Sequence, residues 1–120
     1  MIYIRKTKMS DVACIKKVED DCFSSPWQKK SIEIFAANSS THICFVAVDS
    51  ESNDRVVGYI AALYTGPEAE IANLAVLKIY QNQGVGDAMV SYLLRHFKEQ
   101  NVKSVFLEVR KSNLAAIHVY

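Results

Sequence analysis

An apolar stretch from Ala69 to Leu77, a polar connection from Lys78 to Gly84 and a helical repeat beginning at Val85 place Gln81-Asn82-Gln83-Gly84-Val85-Gly86 at a strand-to-helix turn. Glycines at 84 and 86 let the backbone come close to a ligand without Cβ atoms in the way. The first N–H groups of a helix have no intrahelical partners, and the helix dipole favours negative charge at that end. A phosphate or diphosphate fits such an entrance. Gly-x-Gly alone is equally an ordinary helix-opening turn. Its surroundings favour the anion site. Val85, Ala88, Met89, Tyr92, Leu93 and Phe97 recur at helical spacing through about Glu99, and Ser104 to Val109 then reads as another strand. Strand, helix, strand is the pattern of a right-handed parallel crossover.

The rest of the chain organises around that unit. Ile2 to Arg5 alternates as a short first strand. Ser10 and Asp11 have the chemistry to open a helix, with Cys14, Ile15, Val18 and Cys22 as its apolar stripe. Ser25-Pro26-Trp27-Gln28 has the form of a capping box with Pro at the first helical position, predicting a second helix to about Ala37. His42 to Val48 and Val56 to Tyr64 are apolar, β-branched runs around the polar segment Asp49 to Asp54, as in a hairpin. Gly66-Pro67 turns the chain into the third strand of this meander, and Ser112 is placed to cap a final helix. The expected fold class is α/β in the broad sense: one mixed, partly antiparallel sheet with helices on its faces.

With 120 residues, half of them apolar, the chain suits one domain with a real core. The formal net charge is +1 with both signs dispersed, so no basic stripe suggests a nucleic-acid partner. The amino terminus lacks a secretory apolar stretch, and the longest apolar run, Val56 to Tyr64, is too short to span a bilayer. Neither a membrane nor a nucleic acid is expected as partner, and a cytoplasmic location follows. Cys14, Cys22 and Cys44 fit no metal or redox spacing and read as reduced, mostly buried thiols. His42, His96 and His118 share no metal-ligand spacing, so no metal is expected. Glu19, Asp20 and Asp21 read as a solvated helix face.

Two other phosphate-binding patterns fit the sequence less well. In a dinucleotide fold, Glu108 would fall near the ribose-binding acid, but Met89 occupies the third glycine position and the turn is too long. The antiparallel meander is also the wrong partner for an all-parallel sheet. No Gly-Lys-Ser/Thr follows, which excludes a P-loop.

Gln81-Asn82-Gln83-Gly84-Val85-Gly86 resembles the Gln/Arg-x-x-Gly-x-Gly/Ala motif of the GNAT acetyltransferase superfamily, and Asn73-Leu74-Ala75-Val76 resembles its cofactor-binding strand. Leu107-Glu108-Val109-Arg110, Ser112-Asn113 and Ala115 to Tyr120 resemble the RimI-like group, which acetylates the terminal alanine of a small-subunit ribosomal protein. Ser25-Pro26-Trp27 resembles that group's Pro-Trp element. The resemblance spans nearly the whole chain and implies a single GNAT N-acetyltransferase domain over residues 1–120. It also implies two further strands after the equivalent of Tyr120, so the sequence as it stands is expected to form that fold without its last two strands.

Acetyl-CoA is the implied cosubstrate and a peptide or protein N-terminus the implied acceptor, with a small-molecule amine or a lysine as the alternative acceptor and acyl-CoA binding without turnover as the alternative to catalysis. By this resemblance Leu74, Ala75 and Val76 lend backbone groups to the pantetheine arm. Asn82, Gln83, Gly84, Val85, Gly86 and Asp87 surround the diphosphate, and Asn113 bonds the cofactor amide. Asp87 and Asn82 depart from the commoner basic residues; a carboxylate at 87 suits the helix dipole but repels phosphate. Trp27 and Phe23 either wall the acceptor channel or pack the two first helices. Glu108 is the implied general base and Tyr120 the implied general acid toward the departing thiolate. The acceptor chemistry agrees with a carboxylate base. An α-amino group, with pKa about 7.7–8.0, is neutral in roughly a tenth of molecules at neutral pH, whereas a lysine is neutral in only a few per ten thousand.

Overall fold

The computed structural model describes residues 1–107. Strands β1 (Ile2–Lys6), β2 (His42–Asp49), β3 (Arg55–Thr65), β4 (Glu68–Val76) and β5 (Ser104–Leu107) form one sheet in the order β1-β2-β3-β4-β5. The first four pair antiparallel, and β5 joins β4 in parallel. The parallel crossover expected around α3 (Val85–Glu99) is therefore present. Helices α1 (Val12–Cys22) and α2 (Lys29–Ala36) lie on one face of the sheet, while α3 packs across β1 to β4 on the other. Cover on both faces explains why β2 and β3 are apolar along nearly their whole length instead of alternating. Val46, Val57, Ile60, Met89 and Leu93 are all fully buried between the layers.

Three local expectations are corrected. The start of α1 is one: Ser10 and Asp11 lie in a 3₁₀ turn, Met9–Asp11, that leads into it, and Asp11 stands at the N-cap of α1 without a side-chain hydrogen bond to that helix. Asp11 is already engaged. Its carboxylate accepts both Arg5 guanidinium nitrogens, at 2.8 and 2.9 Å, and the Lys8 N–H at 2.8 Å. The Arg5 hydrogen bonds hold its carboxyl below the usual aspartate range. The Ser25 capping box does not form either, because α2 begins only at Lys29, after an extended Gln28. The Trp27 N–H that would enter such a helix instead donates to Glu19 at 2.7 Å, and the Trp27 ring stacks on Phe35. The third correction concerns thiols: Cys44 is buried, but Cys14 is exposed. The helical register of Ile15 and Val18 turns Cys14 outward.

The sheet carries one irregularity of consequence. Ala61 pairs with Asn73 but Ala62 pairs with Ile71, so Ala72 is an extra residue in β4. Such a bulge bends a strand and re-aims the side chains beside it. Here it immediately precedes the residues expected to meet the cofactor.

Candidate active site

Strand β4 ends at Val76, a 3₁₀ turn (Lys78–Tyr80) follows, and α3 starts at Val85. Two side-chain amides shape this connection. Gln81 Nε2 donates to the Val76 carbonyl at 2.9 Å, and Gln83 Nε2 donates to the Ile79 carbonyl at 3.2 Å. Gln81 thereby ties the turn to the end of β4. The Lys78 N–H is held from the other side by Asp21 at 2.8 Å.

Gly84 is the N-cap of α3, with φ +82°. A side chain is strained in that left-handed conformation, which is the physical reason for glycine here. Among the described residues a Cβ added to Gly84 would meet nothing within 4 Å beyond its chain neighbours, which leaves space above it for a ligand. The first i→i−4 bond at this end runs from the Ala88 N–H to the Gly84 carbonyl at 3.0 Å. The N–H groups of Val85, Gly86 and Asp87 precede it and have no intrahelical partner. Bare backbone, open space and three amide donors at the positive end of a 15-residue helix suit a diphosphate. Asn82, Gln83 and Asp87 are exposed around this entrance, and Val85 is buried beneath it.

Leu74, Ala75 and Val76 are buried in β4. The Leu77 N–H donates to Val57 of β3, so by strand alternation the backbone groups of Val76 and Leu74 point toward the β5 side, and those of Ala75 toward β3. Among the described residues β4–β5 pairing covers Glu68 to Ile71, so Leu74 and Val76 lie past its last rung. Gly58 sits directly opposite Val76. A Cβ there would meet the Ala75 carbonyl at 2.8 Å and the Met89 methyl at 3.1 Å. Gly58→Ala is accordingly expected to cost about 1–3 kcal/mol through overpacking against backbone that cannot yield. Urea unfolding checks this, and a midpoint equal to that of the unaltered chain would refute it.

The solvated reading of Glu19 is also corrected. Its side chain is fully buried. Oε1 accepts the Trp27 N–H, while Oε2 accepts the Tyr59 hydroxyl at 2.6 Å and the Asn73 amide at 2.8 Å. The sequence carried a signal for this: positions 15, 18, 19 and 22 share one helical stripe. Burial, with Glu19 close by, keeps the Tyr59 phenol far above its ordinary value and so protonated. Cys22 donates to the Val76 carbonyl, and burial pushes its thiol up to about 11. A thiol of that kind is no nucleophile at neutral pH.

Glu108, Asn113 and Tyr120 lie outside the described residues. Among the described residues no group of three or more His, Cys, Asp or Glu could hold a metal ion, and no helix is long and apolar enough to cross a membrane. A hollow of about 600 Å³ between Lys6, Tyr64 and His96 lies at the far end of α3 from Gly84, away from the anion site.

A mixed sheet with a bulged fourth strand, leading through a glycine turn into a helix with an open N-terminus, defines the acyl-CoA N-acyltransferase class of fold. The chain matches the Acetyltransferase (GNAT) family over residues 12–120 and belongs to that family. Its cosubstrate is acetyl-CoA. It is 28% identical over 117 residues to the ribosomal protein bS18-alanine N-acetyltransferase of Escherichia coli K12, covering 98% of this chain and 76% of that protein. An uncharacterized N-acetyltransferase of Methanocaldococcus jannaschii is 31% identical over 98% of this chain and 73% of its own length. The crystal structure of the E. coli ribosomal-protein-S18-alanine N-acetyltransferase superposes with a TM-score of 0.84 at 29% identity, over 100% of this chain and 74% of that one. The Thermoplasma acidophilum PaiA N-acetyltransferase, solved with coenzyme A, shares the fold with a TM-score of 0.87 at 16% identity, over 100% of this chain and 86% of that one.

Proposed function

We propose that this protein transfers acetyl from acetyl-CoA to the α-amino group at the N-terminus of a protein, the terminal alanine of a small-subunit ribosomal protein. The observation that carries the acetyl-donor half is the open backbone at Gly84 beside three amide donors at the start of α3. The acceptor half rests on relatives named as bS18-alanine N-acetyltransferases, which align with nearly the whole chain. In this reading the diphosphate sits on the N–H groups of residues 85–87, and the pantetheine arm follows the β5-facing edge at Leu74 and Val76. Asn113 holds an amide of that arm. Glu108 takes the proton of the attacking amine through water, and Tyr120 gives one to the departing thiolate. The C–N bond forms as the C–S bond breaks, without an acetylated side chain. A ribosomal acceptor places the reaction in the cytoplasm.

The test is mass spectrometry of short peptides incubated with the chain and acetyl-CoA. A gain of one acetyl group on the α-amine of an alanine-ended peptide is expected, with no gain on an internal lysine of a blocked peptide. Acetylation confined to the lysine would overturn the acceptor assignment.

A further inference from the structure

We propose that Glu19 is a positioning residue for the acceptor: its buried carboxylate clamps segment 23–28 onto the bulged part of β4 and so fixes the wall past which the amine arrives. This rests on the function proposed above. The clamp joins four parts of the chain. Glu19 comes from α1, the Trp27 N–H from the α1–α2 connection, the Tyr59 hydroxyl from β3 and the Asn73 amide from β4. Asn73 also donates to the Tyr59 oxygen, which closes a ring of hydrogen bonds. Glu19 is 0% exposed and Asn73 is 3% exposed, so water contributes little to either.

A buried carboxylate is an expensive way to fill a core, and well-packed apolar side chains often serve stability as well or better. What the carboxylate adds is direction. Each oxygen fixes a donor, and the donors here lie on segments that sequence keeps far apart. Position gives the clamp its use. A ligand held by its diphosphate at Gly84 and running back along β4 passes Asn73 three residues inside Val76, about 10 Å further along the strand. Helix α3 closes the opposite face across β1 to β4. On the α1 face, the non-helical segment 23–28 is tied through Glu19 to Tyr59 and Asn73, with the Trp27 ring 5.2 Å from Phe35 and 6.4 Å from Tyr59. An amine approaching a thioester laid against β4 from the α1 face meets this segment.

The test uses the whole chain saturated with coenzyme A, with calorimetry of a short alanine-ended peptide. Trp27 is the only tryptophan, so its emission reports the position of the segment. Glu19→Gln puts an N–H among groups that donate. It is expected to weaken peptide binding about tenfold, shift the Trp27 emission and leave coenzyme A affinity within about twofold. Adding Asn73→Asp moves the charge one residue across the clamp and restores a matched set of donors and acceptors. It is expected to recover peptide affinity to within about threefold of the unaltered chain. Peptide affinity unchanged by Glu19→Gln, or unrecovered in a double variant that melts like the unaltered chain, would overturn the proposal. If Glu19→Gln does not fold, Tyr59→Phe takes its place. Loss of peptide affinity alone then supports the clamp, and loss of both affinities or of neither overturns it. Failure of the unaltered chain to bind coenzyme A would instead sink the reading of the Gly84 turn. Coenzyme A binding with no peptide binding would sink the acceptor and this clamp together.

Discussion

Gly84→Asn is expected to weaken acetyl-CoA binding at least about tenfold, roughly 1.4 kcal/mol or more, while leaving the stability of the fold nearly unchanged. The two effects separate because glycine does two things at this position. Its φ of +82° demands a residue at ease in the left-handed region, and asparagine is one of the few others that tolerate it. Asn82, two residues earlier, already adopts φ +62° in the same turn. The second role is vacancy. Among the described residues, none beyond its two chain neighbours lies within 4 Å of the place a Cβ would occupy, so any side chain there would project into the space assigned to the diphosphate. Gly84→Ala tests the other half. It adds a smaller group but a worse backbone fit, expected to cost about 1–2 kcal/mol of stability. Calorimetry with acetyl-CoA and thermal melts of both variants read the two roles separately. An asparagine variant that binds as tightly as the unaltered chain would show that the phosphates sit elsewhere.

Glu108→Gln is expected to lower kcat for an alanine-ended peptide about a hundredfold at neutral pH, since a positioned base contributes about 10²–10⁴. Most of an α-amino group is still protonated there, and attack requires the neutral amine. The deficit should therefore narrow as pH rises past about 8, where the amine loses its proton without help. With Tyr120 as the proposed proton donor to the thiolate, Tyr120→Phe should lower kcat too. Neither variant is expected to change acetyl-CoA affinity, and stopped-time mass spectrometry with calorimetry measures both quantities. Unchanged rates in both variants would reject these roles. A deficit in Glu108→Gln that stays constant with pH would reject the base role for Glu108 while leaving its importance intact.

The parts legible in the sequence are those governed by neighbours along the chain. The α3 repeat, the Gly84 turn and the β2–β3–β4 meander all follow from local periodicity and turn chemistry, and their order came out as the patterns implied. Local rules misled where a distant partner had the stronger claim. Asp11 does accept the Lys8 N–H at the start of the helical segment, but its carboxylate is also held by Arg5 of β1, a partner that no local rule supplies. Ser25-Pro26-Trp27-Gln28 looked like a helix start, but the Glu19 carboxylate takes the Trp27 N–H and delays α2 to Lys29. Glu19-Asp20-Asp21 looked like one solvated run, although only Asp20 and Asp21 are exposed.

By itself, the sequence determined a helix entrance made of backbone and two glycines, because that feature needs nothing beyond the residues on either side. Only the tertiary structure decided that a carboxylate from the first helix would be enclosed with Tyr59 and Asn73 beside the strand that entrance completes. Hydrogen bonds close over a few ångströms regardless of how many residues separate their ends, and the folding of the sheet is what brings residues 19, 59 and 73 within that reach.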